Sequence, residues 1–366
     1  MLGRRGVCGV LVSLCALVAV AAPPGDRVFQ IDAVALIRDG KEVKGDPAFS
    51  VIRTGYTYHF SSAENKAAFE KEPAKFEIQL GGACARMGPL SGEGRCDLFA
   101  LHEGRLYIFA SPQCRDGFLA APGKLLESDD PPARGDEAAM KRGRELFDRA
   151  VAAHGGAEKL AAVKTYVQRI DSKKTHEGKE YVNDRVYLIE YPDKARDEYY
   201  WGESVWLRAV NGATGQFATE KGFDKPMADS QVRAARRELN HNFLAVMKAA
   251  SRPDFVAVAL GPGKVGDSAV ERLAVSFDGT TITLGVDPNS GRVRTLAFVG
   301  RGGERGLLGM IERTFVDLET IDGVTLPKSW RTTFDGAPQG DAPTTLTRIV
   351  LNEPLTAKTF DLTAGK

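Results

Sequence analysis

Two stretches of this chain repeat one another at a fixed offset. Residues 55–76 read GYTYHFSSAENKAAFEKEPAKF, and residues 104–125 read GRLYIFASPQCRDGFLAAPGKL. Tyr58 and Tyr107 stand 49 residues apart, and so do Phe60 and Phe109, Ser62 and Ser111, Phe69 and Phe118, Pro73 and Pro122, and Lys75 and Lys124. Identities held at one offset without a gap require the same local geometry twice. Each copy predicts a short strand, a Ser that caps a helix, one helix carrying a Phe, and a Pro that ends it. The aromatic stripe reads as core packing.

The repeat occupies one of several compositional zones. Residues 127–137, ESDDPPARGDE, combine prolines, a glycine and acidic groups and read as a linker. It separates a compact segment, residues 26–126, from a longer one, residues 138–366. Residues 1–21 carry Arg4 and Arg5, then an apolar run, then Ala19-Val20-Ala21, the layout of a secretory signal peptide. The run is short for a membrane span, which needs about twenty residues; an uncleaved anchor is the alternative. Neither Cys8 nor Cys15 follows a small residue, so a lipoprotein signal is not indicated. No later apolar run approaches membrane length. The expectation is therefore a periplasmic protein, soluble after cleavage, with no transmembrane span.

Lys and Arg number 49 against 48 Asp and Glu, so the formal net charge is +1. That balance argues against a nucleic-acid partner, which requires a basic excess. Five Cys are too few for a disulfide-built fold. With Cys8 and Cys15 removed, Cys84, Cys96 and Cys114 remain, in an oxidising compartment.

The repeated unit resembles the YHS domain, a small family with a Tyr-His-Ser signature. Tyr58-His59-Phe60-Ser61-Ser62 and Phe69-Glu70-Lys71-Glu72-Pro73 follow its core pattern, and Asp32-Ala33-Val34-Ala35 stands where the family carries Asp-Pro-Val and then Cys or Ala. As the resemblance implies, metal-binding members use a Cys after Asp-Pro-Val and two more in Tyr-x-Phe-Cys-Ser-x-x-Cys. Ala35, Ser61 and Asn65 occupy those positions in the first copy, which speaks against a metal there. In the second copy Cys84 and Cys114 fall on two of them and Ala110 on the third. Cys96 is extra, and Met87 and His102 lie nearby in sequence. Cys84, Cys96, Cys114 and His102 are thus candidate ligands for zinc; thiolates with a thioether suit copper(I). A disulfide, or inert buried thiols, are the other readings. Either kind of bridge requires Cys84 and Cys114 to be neighbours.

In the long segment, residues 136–153 predict an amphipathic helix with Ala139, Gly143, Phe147, Ala150 and Val151 on one face. His154 ends it, where the helix dipole favours a cation. Strands are expected at 180–191, 194–201, 204–210, 254–260, 268–277, 280–287, 292–299, 308–318, 324–334 and 343–351. A helix over 229–250, capped by Asp229, interrupts them. Turns are expected at 287–291 and at Asp322-Gly323. The fold class is α+β: the small duplicated module, then a large curved antiparallel sheet wrapped around helices. The stretches at 153–160, 286–291 and 321–327 resemble the lipoprotein-sorting carrier superfamily, open half-barrels covered by helices. That resemblance implies a concave face for a lipid or acyl chain. Leu239, Phe243, Val246 and Met247 are expected to face such a groove, with Trp201, Trp206 and Trp330 on its wall or rim. A groove of the usual ligand size would measure roughly 300–1,000 Å³; a fully packed core is the alternative.

Enzyme signals are weak. No H-E-x-x-H or G-x-S-x-G occurs. Residues 261–266 satisfy G-x-G-x-x-G but contain Pro262 and precede a strand, so they read as a loop. Residues 300–306, GRGGERG, read as a hairpin connection. The function expected is non-enzymatic binding of an apolar small molecule or lipid, with the YHS-like module as an accessory or a contact for another envelope protein. Metal handling is the alternative, and an unrecognised hydrolase or redox partner a third. Amino-terminal sequencing of the exported protein should begin near Ala22; a membrane-bound form retaining Met1 would defeat the cleavage reading.

Overall fold

The structure, a computed structural model, describes residues 27–126, 129–176, 179–303 and 306–363. The leader of residues 1–21 lies outside the described residues.

The repeat is visible as geometry. The first unit contains β1 (Val28–Phe29), α1 (Ala33–Asp39), the hairpin of β2 (Asp46–Arg53) and β3 (Tyr56–Phe60), α2 (Ala63–Lys71) and the short α3 (Pro73–Phe76). The second contains the hairpin of β4 (Arg95–His102) and β5 (Arg105–Phe109), followed by α4 (Pro112–Ala120). Ser62 Oγ accepts from the Asn65 amide at 3.2 Å, and Ser111 Oγ accepts from the Cys114 amide at 3.2 Å. Both hairpins carry a bulge, and at the same offset: Asp46 pairs with Phe60 and Ser50 with His59, while Arg95 pairs with Phe109 and Phe99 with Ile108. The Tyr58 and Phe69 rings lie 4.7 Å apart at 40°, and those of Tyr107 and Phe118 lie 5.1 Å apart at 40°. All four aromatics are core, as the stripe predicts.

The 127–137 segment reads as a linker, and its described part packs against the long segment. The Asp130 amide donates to the Gly279 carbonyl at 3.0 Å, Asp130 Oδ2 accepts from the Thr281 amide, and Ser276 Oγ accepts from the Ala133 amide. Asp136 then caps α5 (Glu137–Ala153) by accepting from the Ala139 amide. Gly143, Leu146, Phe147 and Ala150 face inward. At Gly143 a side chain would meet the Ala257 carbonyl at 2.6 Å, so only glycine lets the helix approach this closely.

After α6 (Ala157–Ala162) the strands form two antiparallel sheets rather than one. The first contains β6 (Thr165–Ile170), β9 (Arg185–Glu190), β10 (Lys194–Trp201), β11 (Ser204–Asn211), β12 (Thr214–Thr219), β13 (Gly222–Pro226) and β22 (Arg348–Leu351), in the order β13-β12-β11-β10-β9-β6-β22. The hairpin β7 (Lys173–His176) and β8 (Lys179–Val182) stands apart from it. The second sheet runs β14 (Val256–Val265), β15 (Ser268–Phe277), β16 (Thr280–Val286), β17 (Val293–Gly302), β18 (Leu307–Ile321), β19 (Val324–Phe334) and β20 (Ala337–Pro338), with β21 (Thr344–Thr345) also on β19. The G-x-G-x-x-G stretch is part of β14, with a bulge between Ala259 and Gly261, rather than a loop. Asp322 and Gly323 both take positive φ, 51° and 77°, as a tight hairpin turn needs. No helix among the described residues is long and apolar enough to cross a membrane.

The helix expected over 229–250 is two helices, α7 (Asp229–Asn240) and α8 (Phe243–Met247). Asn242 breaks it: its side chain accepts from the Leu244 amide and starts the second helix. Ala228, not Asp229, is the cap residue of α7, and the Gln231 side chain accepts from its amide. Leu244, Val246 and Met247 are buried with Phe147, Leu273, Ile282 and Leu296 in the main core.

His154 ties α5 to the second sheet, and it does so as a neutral ring. Nδ1 lies 2.7 Å from the Thr325 carbonyl, and Nε2 accepts from the Val293 amide at 3.0 Å. That pair requires hydrogen on Nδ1 and none on Nε2. Burial lowers its pKa against the opposing Thr325 carbonyl. The dipole-stabilised cation expected at this helix end is thus corrected, because full burial outweighs the dipole. Burial also pushes His241 well below the ordinary value, with Arg313 and Arg237 adding to the shift. Both histidines are therefore protonated more easily in the unfolded chain. Stability is fully present above about pH 6.5 and declines as pH falls below it. The thermal midpoint should be lower at about pH 5.5 than at about pH 7.5. His154→Ala should cost about 2 kcal/mol or more, since it strands two buried backbone groups, and should reduce that pH dependence. A pH-independent midpoint in this window would contradict the assignment.

Candidate functional site

A cavity that combines an apolar lining with charged groups lies between the two sheets. β6, β9, β10 and β11 form one wall, α7 and the His241–Asn242 turn a second, and β17, β18 and β19 a third. The cavity measures about 160 Å³. Tyr166, Ile189, Leu239, Phe243, Phe315 and Trp330 give it an apolar lining.

Its other lining is charged. On β9, Arg185 alternates with Tyr187 and Ile189, so period 2 places the guanidinium on the cavity face. Asp197 on β10 accepts from Arg185 Nε at 2.9 Å and Nη2 at 3.1 Å, and from Arg208 Nε on β11 at 2.9 Å, with Arg208 Nη2 in contact as well. Arg208 Nη2 also donates to Glu238 Oε2 of α7 at 3.0 Å. Burial raises the pKa of Asp197, but Arg185 and Arg208 more than offset this and hold it down at about 2. Arg313 on β18 has a different environment. Its guanidinium lies over the Phe298 ring at 5.1 Å and the Trp330 ring at 5.6 Å. His241 stacks on Phe298 as well, with centroids 3.8 Å apart. Its Nε2 is buried without a hydrogen-bond partner among the described residues.

Of the residues expected to line a groove, Leu239, Phe243 and Trp330 do so. Val246 and Met247 do not: they are 0% and 2% exposed in the core, because α8 turns them toward the second sheet. Trp201 stacks on Tyr181 at 5.6 Å, and Trp206 lies beside Tyr199 at the surface. The cavity is also smaller than expected, because Phe243, Phe315 and Trp330 fill much of the space between the sheets. The charged lining was missed. Its signal is a charged residue in phase with the apolar face of a strand, as in Arg185-x-Tyr187-x-Ile189 and Arg313-x-Phe315.

The thiols form a second site in the repeated module. Cys84 is buried, and its Sγ accepts from the Ala110 amide at 3.3 Å. The Cys114 side chain is a neighbour that acts on it, and burial pushes the Cys84 thiol up to about 11. The equivalent place in the first copy is filled by Asp32, which accepts from the Ser61 amide at 2.7 Å, Ser61 Oγ at 2.6 Å and Asn65 Nδ2 at 2.8 Å. The four-ligand set does not gather. Cys96 packs into the first copy's core, and His102 sets its ring edge against Phe118. Among the described residues no three His, Cys, Asp or Glu could hold a metal together, and Cys84, Cys96 and Cys114 are free.

No family model matches this sequence, and no curated protein matches it. A DUF1329 family protein from Desulfovibrio piger is 10% identical, with a TM-score of 0.39 over 60% of this chain and 97% of its own. A domain described as an outer membrane lipoprotein-sorting protein from Vibrio parahaemolyticus is 11% identical, with a TM-score of 0.35 over 61% and 97%. A LolA superfamily protein from Nitrosomonas europaea is 12% identical, with a TM-score of 0.37 over 60% and 96%. At TM-scores under 0.5 these likenesses carry no argument about ligand or activity.

Asp197 is the buried anion on which two half-buried guanidiniums depend. Asp197→Ala should therefore destabilise the protein by about 3–5 kcal/mol in denaturant unfolding. A loss under about 1 kcal/mol, the scale of a surface pair, would show that the network contributes little.

Proposed function

We propose that this chain is an exported, non-enzymatic binding protein that carries or senses an apolar ligand. The observation behind this reading is the apolar-lined cavity of about 160 Å³ between the sheets. Protein interiors are close-packed, and space of this size without side chains is costly to maintain. An apolar cavity of about 150 Å³ admits a benzene ring. The part of a ligand that fits here without rearrangement is therefore a ring or the tip of an acyl chain. A whole lipid chain needs α7 or the sheets to part.

Export is supported by the charged, apolar and small-residue order of residues 1–21. The duplicated module resembling the YHS domain is read as an accessory that docks on the carrier segment or on another envelope protein. Metal handling has one observation in its favour, the adjacent Cys84 and Cys114. It lacks a third ligand among the described residues and is the lesser reading.

Trp330 lies in the cavity wall, so an apolar ligand there should change its emission. A fluorescent fatty acid should bind the purified protein and quench tryptophan fluorescence. Trp330→Phe should remove most of the quenching while binding persists by calorimetry, and Phe243→Asp should abolish binding. Wild-type protein that binds no apolar probe by either measurement would end the carrier reading.

A further inference from the structure

We infer that the ligand of this cavity is a monoanion with a small apolar body, and that Arg313 receives its carboxylate; this rests on the binding reading above. The charged residues that line the cavity are Arg185, Arg208 and Arg313 against Asp197 and Glu238. Three positive charges against two negative leave one positive charge. His241 adds none, because its imidazole is held neutral.

The imbalance resides on one residue. Asp197 and Glu238 are both engaged by Arg208, and Arg185 takes Asp197 in a two-pronged bond with Glu238 Oε2 at 3.6 Å. Arg313 has no carboxylate. Among the described residues it makes neither an ion pair nor a hydrogen bond; the Phe298 and Trp330 rings lie under its guanidinium, and Tyr187, Arg185 and Glu238 act on it only through space. Arg313 is half-buried, and a guanidinium carries five N–H donors, so those turned from solvent are left without a partner, at a cost, until an anion arrives. The ring contacts offset part of that cost and hold the plane in position without using the N–H groups. The buried, unpartnered Nε2 of His241 shares the Phe298 ring with Arg313. With its hydrogen on Nε2, the neutral imidazole supplies a further donor to the same anion.

Size and charge together define the ligand class. The apolar walls take a ring-sized group, and a net charge of one matches a carboxylate better than a phosphate monoester, which carries nearly two charges at neutral pH. A planar carboxylate also suits the two-pronged geometry of a guanidinium. The ligand is then an aromatic or short-chain carboxylic acid, or a longer amphiphile whose carboxylate end enters first.

The test compares phenylacetate, phenylacetamide and phenyl phosphate on the full-length mature protein by titration calorimetry. Phenylacetate should bind at least about tenfold more tightly than the isosteric amide. Phenyl phosphate should bind no more tightly than phenylacetate. Arg313→Gln should remove the preference of phenylacetate over the amide, and Arg313→Lys should restore part of it. Equal wild-type binding of acid and amide overturns the anion assignment while leaving the binding reading intact, and this comparison needs no variant. A preference that survives in a folded Arg313→Gln protein also overturns it, since Arg313 would then serve only as a packing group. Tighter binding of phenyl phosphate overturns the monoanion. Binding of none of the three overturns the assignment, and failure of the fatty-acid probe as well would take the carrier reading with it.

Discussion

Asp197 sits where three strands and a helix meet, and its carboxylate ties their side chains into one network. A carboxylate taken from water on this scale is tolerated only when its oxygens are engaged, and here Arg185 and Arg208 engage both. The two arginines come from the strands on either side of β10, so the network sets the lateral register of β9, β10 and β11. Through Glu238 the same arginines hold the last turns of α7 against the sheet. An all-apolar centre of equal volume could be as stable, but it would not select one position for the helix. The polar cluster keeps the space beside it open, because charged side chains cannot collapse into the apolar gap.

The repeated module shows one geometry supporting two chemistries. In both copies a hairpin with an identically placed bulge delivers an amide to a buried acceptor, and the helix after it supplies a second side chain. In the first copy the acceptor is the Asp32 carboxylate, with Ser61 and Asn65 around it. In the second it is the Cys84 thiol, with Ala110 and Cys114. The first site is saturated with hydrogen bonds and acts as a structural staple. The second holds two sulfurs in a hydrophobic surround, and burial there raises the pKa of Cys84.

The parts of this structure that sequence made legible are those set by local chemistry. The constant offset located one strand of each hairpin and the helix after it, and Ser62 and Ser111 marked the caps. The Asp322-Gly323 turn and the face of α5 were readable for the same reason. What stayed hidden depends on partners far away in the chain. β6, β12 and β13 lack a clear period because TYVQRI, TGQFAT and GFDKP take their register from neighbouring strands. The break between α7 and α8 was invisible because the apolar period runs through His241 and Asn242 undisturbed. The cavity's charged wall brings together residues from β9, β10, β11, α7 and β18, which no window of sequence contains.

The helix that closes the cavity is seated on the repeated module. Gln231 in the first turn of α7 donates to the Pro89 carbonyl at 2.9 Å, and Lys225 just before it donates to the Gly81 carbonyl at 2.8 Å and pairs with Glu93 at 2.7 Å. Gly81 adopts φ of +58°, and a side chain there would meet Gln231 Oε1 at 2.1 Å, so the loop and the helix touch backbone to side chain with no slack. The other end of α7 carries Glu238 and Leu239 into the cavity wall. A helix is stiff over this length, so its seat on the loop and its position over the cavity are not independent. Whatever opens the space between the sheets by moving α7 must also displace the contacts to the 81–93 loop, which contains Cys84. Physical continuity of this kind makes the repeated module part of the cavity's mechanical frame rather than an appended unit.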